Sequence, residues 1–317
     1  MGFFVDRFER FDEKDFGAFA AKKRASNVYN MERMAIAEKL KLLGEKLKPV
    51  FTDRGLNVKC GTSDYKPSIF NGHNVEDAWL YFIRSDEEQR AILPLIEQKI
   101  TLPEMIHDAA EHLKHSILFV RIDSGMVEAG LRIYSTAWLD VMNLVQITRN
   151  TWECAKLLDM VRGLGTDFKV RILPGNNVSP GELKEEPLRE LERGIFEEKY
   201  WIRITAEFSM EKMLAETDAL GVMKGIFSRL VPIYSFITWS RQNDHLSIVD
   251  EIRREKIAVQ TGVADLRKND RVVVLGGLFE GKRGVVLDVD AKGFVKVLIG
   301  HVTVKFEGNL LRKTDER

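Results

Sequence analysis

The sequence predicts a mixed α/β or α+β body followed by a small all-β barrel, and three observations carry that expectation. Apolar residues recur at helical spacing from about 9 to 50, at Phe16, Phe19, Ala20, Met34, Ala37, Leu40, Leu43 and Leu47. From about 56 to 250, short alternating runs lead into helical runs. Beyond about 264 every apolar run alternates with period two between glycine turns, the grammar of a small barrel. A chain of 317 residues exceeds one ordinary core, so we expect a body over 1–263 and the barrel over 264–317.

The elements follow in order. The N-terminal arm, about 1–50, should be a helix ended by Pro49 and Arg54-Gly55, with Phe3, Phe4, Phe8 and Phe11 packed on a neighbouring surface. Gly61, Pro67 and Asn71-Gly72 break the next stretch into strands, of which Trp79 to Ile83 is the clearest. Asp86-Glu87-Glu88 suits a helix N-terminus, and a second helical run extends from Leu102 to about His112. Ile117 to Val120 is a strand. Val127 to Tyr134 then forms a strand-then-helix unit, with Ser135 as cap and the helix from Trp138 to Ile147. Tyr200 to Thr205, Ser209 and a helix from Met210 to Leu230 form a second such unit, with a strand at Phe168 to Ile172 between them. Asn176 to Pro187 has the composition of a surface loop. Pro232 to Trp239 should be core, and Asp250 to Lys256 a charged helix leading to the boundary.

Composition excludes several classes. With 44% apolar and 30% charged residues and only 8 prolines, the chain is neither disordered nor collagen-like. No stretch reads as about 20 apolar residues, so no membrane partner is expected. The first residues carry no secretion signal, and Cys60 and Cys154 supply neither a disulfide framework nor a metal knuckle, which points to a reducing cytoplasm. Basic and acidic residues balance at 48 each, but unevenly: residues 266–317 hold 11 basic and 7 acidic side chains, a net of +4. A mildly basic module on a mildly acidic body suits contact with a phosphate polymer.

The run Lys268-Asn-Asp-Arg-Val-Val-Val-Leu-Gly-Gly-Leu-Phe-Glu-Gly-Lys-Arg-Gly-Val-Val resembles a KOW motif, the SH3-like barrel of ribosomal proteins and antiterminator-type transcription elongation factors. Asp270 before Val272 and Val274 matches the entry to the first strand, Gly277 to Gly281 the first loop, and Gly284 the characteristic glycine. Gly277, Gly281 and Gly284 suit tight turns and a close strand approach. The resemblance covers about fifty residues and implies that Phe279, Lys282 and Arg283 meet the partner. An aromatic can stack and cations can meet phosphate, although Phe279 could equally cap the barrel core. The resemblance implies a non-enzymatic binding protein whose partner is RNA, the ribosome or RNA polymerase. Two other classes stay open: an adaptor whose barrel holds another protein or its own body, and an enzyme with a site in the body.

Catalytic groupings are thin. His107, Glu111 and His115 fall on one helical face, but the outer pair would stand about 12 Å apart, too far to share an ion. Asp244-His245 near Ser240 lacks the distant partners of a triad, Gly163-Leu-Gly165 lacks a dinucleotide fingerprint, and Cys154 reads as a buried structural thiol. No cofactor and no metal are expected.

Overall fold

The computed structural model describes residues 8–97, 111–172, 175–195, 202–246, 266–275, 279, 281–290, 294–300 and 302–314. Two compact units divide the chain, Met1–Leu246 and Ser247–Arg317. The boundary expected at 263/264 and the helix expected over Asp250 to Lys256 lie outside the described residues.

The body contains helices α1 (Glu13–Gly17), α2 (Asn30–Thr52), α3 (Asp86–Glu97), α4 (Trp138–Arg149), α5 (Thr151–Arg162), α6 (Glu186–Ile195), α7 (Met210–Ala215) and α8 (Ala219–Ile237). Its strands are β1 (Val58–Thr62), β2 (Asp77–Arg84), β3 (Ile117–Asp123), β4 (Met126–Ile133), β5 (Phe168–Ile172), β6 (Asn177–Val178) and β7 (Ile202–Ser209). They form one sheet in the order β1-β2-β3-β4-β7-β5-β6. The two strand-then-helix units are present, but β4 and β7 lie side by side and antiparallel, from Met126 opposite Ser209 to Ile133 opposite Ile202. All the pairings among the described residues are antiparallel, so the body is α+β rather than a parallel α/β layer.

Alternation along the strands gives the sheet two unlike faces. One carries Leu80, Phe82, Leu118, Val120, Leu131 and Ile204 into the main core with α2 and α8. There Phe51 of α2 packs on Phe82 and Phe227, with ring centroids 4.6 and 5.6 Å away. The other face carries charge: Glu128, buried, is paired to Arg203 at 3.2 Å and to Arg121 at 3.5 Å, while Arg132 lies over the Trp79 ring at 4.9 Å. Contrary to the expectation that no stretch reaches the length of a membrane span, α8 is long and apolar enough by composition to cross one; here Met223, Phe227, Leu230 and Tyr234 place it in the body core.

Several expected elements differ. The long N-terminal helix is instead α1, two 3-10 turns and α2. Arg33 holds the interrupted stretch: wholly buried, it donates to the carbonyls of Lys23 and Ser26 within it and to that of Tyr65 beyond β1, satisfying backbone acceptors outside any regular helix. Phe8 and Phe11 are buried, edge to face at 5.3 Å. Pro49 does not end α2 but stands within its last turns, and Gly55 at φ +74° turns the chain beyond. Ala137, not Ser135, precedes α4, without a side-chain cap. Ser209 does cap α7, but the helix breaks before Asp218, whose carboxylate accepts from Gly221 N–H and starts α8. The expected loop at 176–187 holds β6, a 3-10 turn and the start of α6.

The second unit holds β8 (Arg271–Val274), β9 (Arg283–Val289), β10 (Phe294–Ile299), β11 (Val302–Glu307) and β12 (Leu311–Lys313), in the order β11-β10-β9-β8-β12. Four of these strands were expected; β12 was not, because three residues give too short a run to alternate visibly. The sheet is antiparallel and open, with β11 and β12 as its edges, rather than a closed barrel.

Candidate functional site

In the C-terminal sheet, alternation sorts apolar from basic. Val272, Val274, Val286, Val295, Val297 and Leu311 point to one buried face. The intervening residues share the other face, and the strand register places them. Val273 stands opposite Arg283 of β9 on one side and Arg312 of β12 on the other. Arg271 stands opposite Val285, and Lys296 opposite both Asp288 and Lys305. All five of these cations are exposed. Strands about 4.8 Å apart put the Arg283 and Arg312 backbones about 10 Å apart, with Arg271 two residues along β8. Lys305 is paired to Asp290 at 3.1 Å, whereas Arg271, Lys296 and Arg312 make no ion pair among the described residues. Five of the module's eleven basic residues therefore share one sheet face, with Asp288 and Asp290 beside them.

The expected contact residues divide. Arg283 is the first residue of β9 and joins the basic face; Lys282, exposed, precedes it in the turn. Phe279 turns inward, half-buried, with its ring edge-on to Phe306 at 6.0 Å. Gly281 adopts φ +76° and donates its N–H to the Val274 carbonyl at 2.8 Å. At Gly284 a Cβ would come within 2.4 Å of Val297 Cγ1 and 2.7 Å of the Leu298 carbonyl oxygen, so β9 approaches β10 too closely for a side chain. Gly277 lies outside the described residues. Arg271, Lys296, Lys305 and Arg312 were not expected as one group; the signal was present for Arg271, Lys296 and Lys305, which alternate with buried valines or a buried phenylalanine, whereas Arg312 lies in a strand too short to show it. Asp270 pins the entry of β8, accepting from Arg267 N–H and Lys313 Nζ, and the Lys313 bond holds its pKa below the usual carboxylate value.

Among the described residues, the expected groups do not gather into a catalytic site. Residues 111–114 form a 3-10 turn, so the helical face expected through Glu111 and His115 does not continue there. His107 and the Glu111 side chain are not among the described parts. His115 is buried with Nδ1 at 3.2 Å from an Arg84 nitrogen, and since a guanidinium only donates, Nδ1 accepts and is unavailable to a metal. Among the described residues no three His, Cys, Asp or Glu side chains gather. Asp244 accepts from the Trp239 indole at 2.8 Å, and His245 Nε2 lies 3.1 Å from Asn243 Oδ1. A cleft of about 560 Å³ is lined by Arg84, Glu88, Tyr234, Trp239 and Arg241, and by none of His115, Asp244 and His245.

Arg84 is itself committed. It pairs with Asp140 through both terminal nitrogens and donates to the Trp239 carbonyl at 2.8 Å, while Asp140 also accepts the N–H groups of Ser116 and Trp239. Burial would raise the Asp140 pKa, but Arg84 and these N–H bonds outweigh it and hold the group below its usual value. No protein-family model matches the chain, and no curated protein matches it.

Proposed function

We propose that this is a cytoplasmic, non-enzymatic binding protein whose C-terminal unit, an SH3-like module of the KOW kind, contacts RNA, alone or within the ribosome or a transcribing polymerase. The observation that carries it is the cross-strand row of Arg312, Val273 and Arg283 with Arg271 beside it: three exposed arginines gathered on one face. Such a face attracts phosphate oxygens, and Phe294, which alternation places on it with Lys305 Nζ 4.4 Å from its ring centroid, adds one aromatic ring beside the cations. Lys282 extends the face at the first turn, while Phe279 supports the core beneath.

The test is binding of a fluorescent single-stranded RNA to the full chain across a salt series. Each lost phosphate contact should reduce the log–log salt slope by about 0.7, so the Arg271→Ala, Arg283→Ala, Arg312→Ala triple variant should lose about 2. Binding that ignores salt, or that survives the triple variant, overturns the reading in favour of an adaptor with a protein partner.

A further inference from the structure

β1 ends the seven-stranded sheet, and no other described strand pairs with its outer edge. The ladder with β2 fixes which groups face outward. Ser85 N–H donates to the Asn57 carbonyl and Ser63 N–H to the Trp79 carbonyl, just beyond the two ends of the β1–β2 register. Antiparallel hydrogen-bonded pairs recur every second residue, so Lys59 and Gly61 also bond inward to β2. Val58, Cys60 and Thr62 therefore turn their N–H and C=O groups to the open edge, where no described residue pairs with them.

A groove of about 440 Å³ runs along this edge between β1 and α2. Lys41, Glu45 and Lys48, spaced as one stripe of α2, line one side; Lys59 and Asp86 line the other. Gly44 sets how closely the helix approaches, since a Cβ there would lie 2.7 Å from Cys60 Sγ and 3.0 Å from Leu80.

We propose that this groove binds an extended acidic peptide segment of another protein, which adds to β1 as an eighth strand. Backbone groups at Val58, Cys60 and Thr62 supply the ladder, and a strand of five residues offers about 17 Å of it. Charge selects the occupant: three lysines line the groove against two carboxylates, and each lysine is held only by an exposed neighbour, Lys41 by Glu38 at 2.6 Å, Lys48 by Glu45 at 2.7 Å and Lys59 by Asp86 at 3.0 Å. Such exposed pairs exchange partners at little cost, so a strand bearing alternate carboxylates can engage the lysines. Edge strands are commonly guarded by a lysine or proline. Here Lys59 is engaged with Asp86 on the sheet's charged face, and β1 contains no proline. This inference is independent of the RNA reading.

The experiment titrates the full chain with a labelled peptide of alternating Glu and Val. Binding should weaken with salt, and peptide should slow amide exchange at Val58, Cys60 and Thr62. An alternating Lys and Val peptide should not bind. N-methylating every second residue of the acidic peptide, in each of the two frames, should weaken binding at least tenfold in one frame only, which requires no change to the protein. Cys60→Pro, which removes an outward N–H and leaves the β2 ladder intact, should do the same while the melting temperature reports folding. The proposal is overturned if both methylated frames bind like the parent, if the lysine peptide binds equally, or if the chain alone sediments as a dimer that buries this edge.

Discussion

The two units dispose of their charges in opposite ways. In the body, Arg33, Arg84, Asp140 and Glu128 are buried, and each is held by named partners on at least two other segments. In the C-terminal unit, Arg271, Arg283, Lys296, Lys305 and Arg312 stand in water on one sheet face. A buried charge must be satisfied by the fold and so fixes segments to one another. An exposed, concentrated and partly uncompensated set contributes little to folding, and its like-charge repulsion is relieved by an outside anion. The charges most firmly held in this chain are therefore its architecture, and the loosely held ones are its candidates for recognition.

That contrast is breakable by substitution. The largest effect is expected from Asp140→Ala, which leaves Arg84 buried without its partner; denaturant unfolding should show a loss of about 3–5 kcal/mol, with RNA binding retained wherever the variant is folded. Because the folded pKa of Asp140 lies below its unfolded value, its contribution is present above that unfolded value, near 3.8, and lost as pH falls through the folded pKa. The stability gap between wild type and variant should accordingly be full at pH 6 and narrow on strong acidification. Gly284→Ala should destabilise the C-terminal unit by about 1–3 kcal/mol, read from the melting of that unit, because Val297 and the Leu298 backbone must give way. Phe279→Ala should cost about 1–2 kcal/mol through lost packing on Phe306 while leaving the salt slope unchanged; a changed slope would return Phe279 to the interface. The smallest stability effect belongs to the arginine triple variant, within about 0.5 kcal/mol, although it has the largest effect on binding.

Much of the strand pattern was legible because period-two alternation is local: Trp79 to Ile83, Ile117 to Val120 and Phe168 to Ile172 fall inside β2, β3 and β5. Partners and direction were not legible, since nothing in Val127 to Tyr134 says that residues some 75 positions later will pair with it antiparallel. Arg84 ended a promising strand without drawing notice, because one cation beside an apolar run looks like a boundary until Asp140, 56 residues on, is placed against it. Arg33 was hidden for the same reason in a helix. The basic face was half legible: Arg271, Lys296 and Lys305 stand beside apolar residues of their alternating strands, but only the register reveals Arg283 and Arg312 flanking Val273. The short loop drew attention instead because its residues are contiguous, and Phe279 turned out to face the core.

The strand order β4-β7-β5 bears on how the body is made. β7 is the last of its strands to be synthesised, yet it lies between β4 and β5. On an emerging chain, β5 and β6 therefore have no place in the sheet until residues 202–209 arrive to bridge them to β4. The Arg84 and Asp140 cluster waits longer still, for the backbone of Trp239. Residues 1–200 would emerge from a ribosome with half a sheet, an exposed β4 edge and a buried-to-be ion pair still in water. The body should close late and in one step, with the slow rate that distant contacts impose.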